Sequence, residues 1–435
     1  MIGLIATLIV DTSIVKVYDL IDKSFISQQG KLILFSTNTL VCILLEFVII
    51  KYIQSSFKRD QLNKRLKVSL FYRISLISLS ISGILMGLLT FQLLYNNYYK
   101  ELIPIFIIIV SYGTAAGFII KLSTLFFSWY KSNHSSIVFL YFISMLLIAS
   151  NLLITAIITS VKINDRSDEA REFVGGTVDI SVGSRYVLLN NIYTISSIMS
   201  FISIWITTAL LMNSYRDKLI INSIIYWIIL SIPLVYFLIN YLYKFIFANI
   251  MISYLTIDPI TVSIILTAFL SLSKPIGGLT FAVAFWNISK IISYEKNIKT
   301  YMIISGWGIL LIFGADQAVV QTLAPYPPFG LATLTVLNIA AFMMLLGIYK
   351  SATLVSANNQ LRKSIRKHVL ETRLLRLIGH AEMEKEIEKT VRKIAQDKDR
   401  LEIDTEQQQQ QPIELDENEL KKYVDFVIRE VRKGR

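Results

Sequence analysis

The sequence predicts an all-α protein: a polytopic transmembrane helix bundle of about nine spans, each near the 20-residue length that crosses a bilayer core, followed by a helical tail. Two observations carry this. Of the 435 residues 54% are hydrophobic and only 17% charged, against about a quarter charged in soluble domains. Several apolar runs, such as Ile137 to Val161 and Val187 to Met212, are also too long for soluble-core elements. In hydrocarbon each backbone N–H and C=O needs an internal partner, so these runs form helices. A barrel strand would alternate polar and apolar residues, and these runs do not.

The spans fall at 31–53, 68–95, 102–128, 137–161, 187–212, 219–247, 259–289, 301–320 and 331–354. Basic residues gather in alternate connections: Lys58, Arg59, Lys64, Arg65 and Lys67, then Lys131, Arg216 with Lys218, then Lys290, Lys296 and Lys299. The charge bias predicts those connections to be cytoplasmic, with the amino terminus outside and the carboxyl terminus inside a cell membrane. The formal charge of +12 is thereby explained by orientation, and nucleic acid is not an expected partner. The predicted outer loop 162–186 mixes Lys162, Arg166, Arg171 and Arg185 with five acids, and its residues Thr177 to Val182 alternate like a strand.

Residues 1–30 read as an amino-terminal amphipathic segment on the outer surface, with Ile14, Tyr18, Ile21 and Phe25 at helical spacing. A tenth span within this stretch is the rival reading. Residues 31–355 form the bundle. Residues 356–406 are a cytoplasmic juxtamembrane region, where Leu361, Ile365 and Val369 form a stripe ending near Gly379 and Ile387, Val391, Ile394 and Leu401 suggest a short coiled coil. Gln407 to Gln411 with Pro412 belong to a linker over 407–415. Residues 416–435 read as a terminal amphipathic helix.

Ionisable residues inside spans are the first functional candidates, because each costs about 2.5 to 3.5 kcal/mol unless paired or wet. Glu46, Arg73 and Lys121 lie about 8 to 11 Å from the predicted inner ends of the first three spans, which suggests one charge cluster. Lys244 sits near an outer end, where it snorkels. Lys274 falls within Ser271-Leu-Ser-Lys-Pro-Ile-Gly-Gly278 of the long seventh span, and Asp316 lies on the next span. The proline predicts a kinked or unwound single crossing there. Ser271, Ser273, Lys274, Gly277, Gly278 and Asp316 are therefore the candidate binding residues, and a purely structural Lys274–Asp316 strut is the competing account. Asn151, Asn190, Asn191, Asn222 and Asn338 read as interhelical hydrogen-bond partners. Trp129, Tyr130, Tyr95 and Tyr243 read as interfacial anchors.

Arg362, Lys363, Arg366 and Lys367 follow the last span directly, where anionic lipid is an expected contact. Tail self-association or a cytoplasmic protein partner is the other expectation, besides the bilayer itself. Cys42 is alone and His134, His368 and His380 are scattered, so no disulfide and no metal site is expected. No HExxH, GxSxG or paired-aspartate pattern occurs, so neither an enzyme nor a cofactor is predicted.

Pro327-Pro328-Phe329-Gly330, a final span, Leu361-Arg362-Lys363-Ser364-Ile365-Arg366-Lys367 and Ile378-Gly379-His380-Ala381-Glu382-Met383-Glu384 together resemble uncharacterised polytopic membrane proteins of archaea. The resemblance covers the chain from Pro327 onward. It implies a membrane protein with a basic helical tail and carries over no activity. The functional expectation is a receptor-like or scaffold protein with a cytoplasmic helical tail, the alternative being a secondary transporter or ion-coupled permease.

Overall fold

The computed structural model describes residues 3–8, 28–58, 68–96, 99–100, 102–170, 184–213, 223–254, 272–292, 296–321, 327–358 and 373–405. Among these, every regular element is a helix. A short α1 (residues 3–8) precedes α2 (Gln28–Lys58), α3 (Val68–Asn96), α4 (Leu102–Asn133), α5 (Ser136–Ala170), α6 (Ser184–Asn213) and α7 (Ser223–Tyr254). Then come α8 (Ser273–Ile291), α9 (Lys296–Gln321), α10 (Leu331–Ala357) and α11 (Arg373–Thr405).

Seven of the described helices, α2 to α6, α9 and α10, are long and apolar enough to cross a membrane. They coincide with seven of the nine predicted spans. The sixth prediction falls on α7, whose apolar residues Ser223–Ile239 make a shorter run. The seventh falls partly on α8, which is 19 residues long and carries Lys274 and Lys290 near its two ends; residues 255–271 lie outside the described residues. Helix ends also differ from hydropathy. α5 runs on through Ala170, so residues 162–170 are helix where a loop was predicted, because hydropathy marks the end of the apolar stretch and not the end of backbone pairing. The strand-like stretch 177–182 is outside the described residues, as are Ile14, Tyr18, Ile21 and Phe25 of the amino-terminal segment. In α1, Leu4 and Leu8 are buried.

The outer faces of the bundle are apolar at helical spacing. On α3 the exposed residues include Leu70, Ile74, Ile77, Ile81, Ile84, Leu88 and Phe91, and on α7 they include Ile224, Ile228, Ile232 and Val235. Continuous stripes of this size suit lipid and would be a liability in water.

At the centre lies α10, in which every residue except Tyr349, Leu354 and Ala357 is buried. It is launched by Pro327-Pro328-Phe329-Gly330. Gly330 takes the left-handed backbone that glycine favours, with φ 93°, and the Phe329 ring packs edge-on against Phe35 of α2 at 5.6 Å. A helix can be surrounded this closely only where side chains are small. A Cβ on Gly308 of α9 would lie 2.8 Å from both the Ala340 carbonyl and the Met344 amide nitrogen of α10, and one on Gly347 would overlap Ser305 and the Tyr301 carbonyl. These contacts fix α9 antiparallel to α10. The hydroxyls of α10 largely satisfy themselves against preceding carbonyls, as Ser351 does on Gly347 and Thr353 on Tyr349. The Asn338 amide instead donates to the Ser75 carbonyl of α3 at 3.1 Å, one of the interhelical links predicted for asparagine. Asn190 and Asn191 are exposed.

The direction of the helices gathers one set of ends. α4 stops where His134 adopts a left-handed φ of 44°, and two residues later α5 begins. That turn, the last residues of α8, the first of α9 and the end of α10 lie at the side of the bundle where α11 packs, which we term the tail end.

Gly308→Ala should destabilise the protein by about 1 to 3 kcal/mol through overpacking against backbone. Gly87→Ala, whose Cβ would meet nothing within 4 Å, should change stability by less than about 1 kcal/mol. Thermal unfolding of the purified chain in detergent checks both.

A buried charge centre opposite the docked tail

α8 begins abruptly. Leu272 is a turn residue, Ser273 opens the helix, and the Ile276 amide already donates to the Leu272 carbonyl at 2.9 Å. Pro275 therefore occupies the first turn, where its missing N–H has no intrahelical partner to lose. Among the described residues α8 is continuous helix from Ser273 to Ile291 and the proline lies in its first turn; the part of the predicted span that a kink would join to it, before Leu272, lies outside the described residues. Gly277 and Gly278 are packing residues. A Cβ on Gly277 would enter the Phe201 ring of α6, and one on Gly278 would lie 2.8 Å from Phe313 and 3.3 Å from the Leu310 carbonyl of α9.

This close packing takes Lys274 into the bundle, with 2% of its surface exposed. Its ammonium donates to Asp316 Oδ2 of α9 at 2.6 Å and to the Tyr193 hydroxyl of α6 at 3.0 Å. Asn151 of α5 reaches the same carboxylate oxygen through Nδ2 at 3.5 Å. The Tyr112 phenol of α4 is close enough to interact electrostatically with Asp316 and Tyr193. Five helices thus meet at one ion pair. Its opposite charges reduce the cost of burial, and the tyrosine and asparagine supply further hydrogen bonds. The set is incompletely satisfied: among the described residues Asp316 Oδ1, Asn151 Oδ1, Tyr112 Oη and Ser273 Oγ have no hydrogen-bond partner.

Position along the helices places this centre far from the tail. At 1.5 Å per residue, Lys274 is about 24 Å from Lys290 and Asp316 about 30 Å from Lys296. Lys274 is thus near the far end of α8, and residues 259–271 of the predicted seventh span lie outside the described residues.

The predicted Glu46, Arg73 and Lys121 cluster does not come together. Glu46 is fully buried, whereas Arg73 and Lys121 are exposed. Glu46 accepts from the Thr335 hydroxyl of α10 at 2.8 Å and from the Cys42 thiol at 3.8 Å, while its Oε2 has no partner among the described residues. Shared depth fixed only the position along each axis. The direction of each side chain around its axis decides contact, and Lys121 falls on the stripe of α4 that also exposes Ile109 and Ile120.

At the tail end, α11 lies against α10 and α4. Leu374, Leu375, Ile378 and Ala381 are wholly buried there. The Trp129 indole of α4 donates to Glu382 Oε2 at 2.7 Å, and Asn133 Nδ2 donates to the Leu377 carbonyl at 3.3 Å. Trp129 is thus a buried docking residue, contrary to its reading as an interfacial anchor. Gly379 does not end the helix; a Cβ there would overlap Val355, so glycine permits close approach to α10. His380 pairs with Glu384 at 3.2 Å on the same helix. Ile387 and Val391 are half-buried. Ser271, Arg362, Lys363, Arg366 and Lys367, like the linker and the terminal helix, lie outside the described residues.

Sequence reasoning found Lys274, Asp316 and Asn151 but missed Tyr193, Tyr112, Trp129 and Glu382 as members of these two centres. Tyrosine and tryptophan in an apolar run carry no signal that separates a buried hydrogen-bond donor from an interfacial ring. Lys350 of α10, inside the predicted span 331–354, is also buried and was not among the ionisable candidates. Among the described residues no group of three His, Cys, Asp or Glu is placed to hold a metal ion.

No protein-family model, curated protein or solved structure matches the chain. Its fold and these two centres define it only as a multi-pass helical membrane protein.

Lys274→Ala should cost about 3 to 5 kcal/mol by leaving Asp316 buried without its cation. Adding Asp316→Asn should recover much of that loss in a double-mutant cycle of thermal stabilities. By contrast, Glu46→Gln combined with Arg73→Gln or Lys121→Gln should be additive within about 0.5 kcal/mol.

Proposed function

We propose that this chain is a receptor-like or scaffold protein of the cell membrane, in which the state of the bundle is communicated to a cytoplasmic helical tail. The single observation that supports it most is the reach of α4. This helix brings Tyr112 to the charge centre and Trp129 to Glu382 of α11, positions about 26 Å apart at helical rise. A small shift of α4 at one end is felt at the other, because packed helices move as units between discrete arrangements. The full topology in this reading has nine spans, with the amino terminus outside and the basic juxtamembrane block Arg362, Lys363, Arg366 and Lys367 at the inner leaflet, against anionic lipid. The tail surface beyond the docked segment is where self-association or a protein partner is accommodated.

A secondary transporter is the second reading, favoured by the unpartnered Asp316 and Asn151 oxygens within a membrane-embedded charge centre.

Hydrogen exchange of residues 374–383 in vesicle-embedded protein tests the coupling. Asp316→Asn and Glu382→Gln should both speed exchange in this segment. Acceleration by Glu382→Gln with no response to Asp316→Asn would remove the coupling between the two ends.

A further inference from the structure

We propose that Asp316, Asn151 and Tyr112 form a binding site for a small monovalent cation that competes with the Lys274 ammonium for the Asp316 carboxylate. The geometry offers oxygens from three helices: Asp316 Oδ1 on α9, Asn151 Oδ1 on α5 and Tyr112 Oη on α4. Each is at least nine-tenths buried as a residue, and each lacks a hydrogen-bond partner among the described residues. Asp316 Oδ2, now held by Lys274, becomes a fourth when the lysine withdraws. Hard oxygen donors of this kind suit alkali cations and give no purchase to soft metals. Charge selects a monovalent ion, since the centre holds one carboxylate. A divalent ion there would leave excess positive charge in a low-dielectric interior.

The groups facing the pair define how exchange proceeds. α4 contributes Tyr112, α5 Asn151 and α6 Tyr193. α7 has no charged residue over 223–239, and the only charged residue of α10, Lys350, sits near the tail end. Two cations on one buried carboxylate repel strongly. When the ion binds Asp316, the Lys274 ammonium therefore gives one proton to water and becomes a neutral amine. It keeps the Tyr193 hydroxyl as its hydrogen-bond partner. One cation enters, one proton leaves, and the net charge of the centre is unchanged.

This inference deepens the receptor-like reading by naming a class of ligand. Its test reads binding alone, so a chain that binds the ion without moving its tail would remove the coupling and leave this site standing. Sodium, lithium, potassium and choline chlorides are added at equal ionic strength to the purified full-length protein in weakly buffered detergent solution, with proton release and thermal stability recorded. At least one alkali cation should release up to one proton per chain and raise the melting temperature, whereas choline should do neither. Half-saturation should rise about tenfold for each unit fall in pH, as competition between one ion and one proton requires. Lys274→Ala should retain the stabilisation and lose the proton release. Asn151→Ala, which leaves the ion pair in place, should weaken cation binding, and it provides the site test if Asp316→Asn fails to fold. Equal responses to choline and to every alkali cation would overturn the proposal, as would an unchanged response in Asn151→Ala.

Discussion

A lysine and an aspartate meeting 2.6 Å apart in the bundle interior set the terms for everything around them. Neither charge is tolerable there alone, so α8 and α9 must hold one register. That register is enforced by packing as well as charge. Gly277 and Gly278 let α8 close on Phe201 and Phe313, rings that also meet each other at 5.9 Å. Had either glycine carried a side chain, the helices would separate and the ammonium would lose its partners. The ion pair and the glycines are two halves of one device.

The rest of the bundle follows the same logic around α10. Gly308 and Gly347 bring α9 and α10 to near backbone contact, and Gly379 lets α11 close onto the Val355 side chain of α10. Lipid tails are as apolar as leucine, so helices in a membrane gain little from hiding leucine from lipid. Close backbone approach and interhelical polar links drive association instead. The polar links are placed accordingly, with Asn338 to the Ser75 carbonyl, Thr335 to Glu46, and a Ser144, Ser203 and Thr207 chain joining α5 and α6 at 2.8 and 2.9 Å. Trp129 and Glu382 extend this pattern to the tail.

Hydropathy located seven helices long and apolar enough to cross a membrane because apolar length is a one-dimensional property. Glu46 was recognisable as a buried acid, yet its partners were not, since Thr335 lies 289 residues away and depth along an axis says nothing about facing. Pro275 was read as a break because helix interiors exclude it. The same residue is equally at home in a first turn, and only the position of Leu272 distinguishes the two. Gly379 misled in a parallel way, as glycine serves both to end helices and to bring them close. The Lys274 and Asp316 pairing was legible because two opposite charges on neighbouring spans have few other solutions. Tyr193 and Trp129 had no such constraint on their partners.

The most direct test of the central claim is the side-chain nitrogen spectrum of lysine-selectively 15N-labelled protein in detergent micelles. A Lys274 ammonium held by Asp316 and Tyr193 should give a distinct signal, protected from solvent exchange, that is lost in Lys274→Ala and displaced in Asp316→Asn. A Lys274 signal indistinguishable from those of solvent-exposed lysines, and indifferent to Asp316→Asn, would contradict the buried ion pair and with it the arrangement of the five helices that meet there.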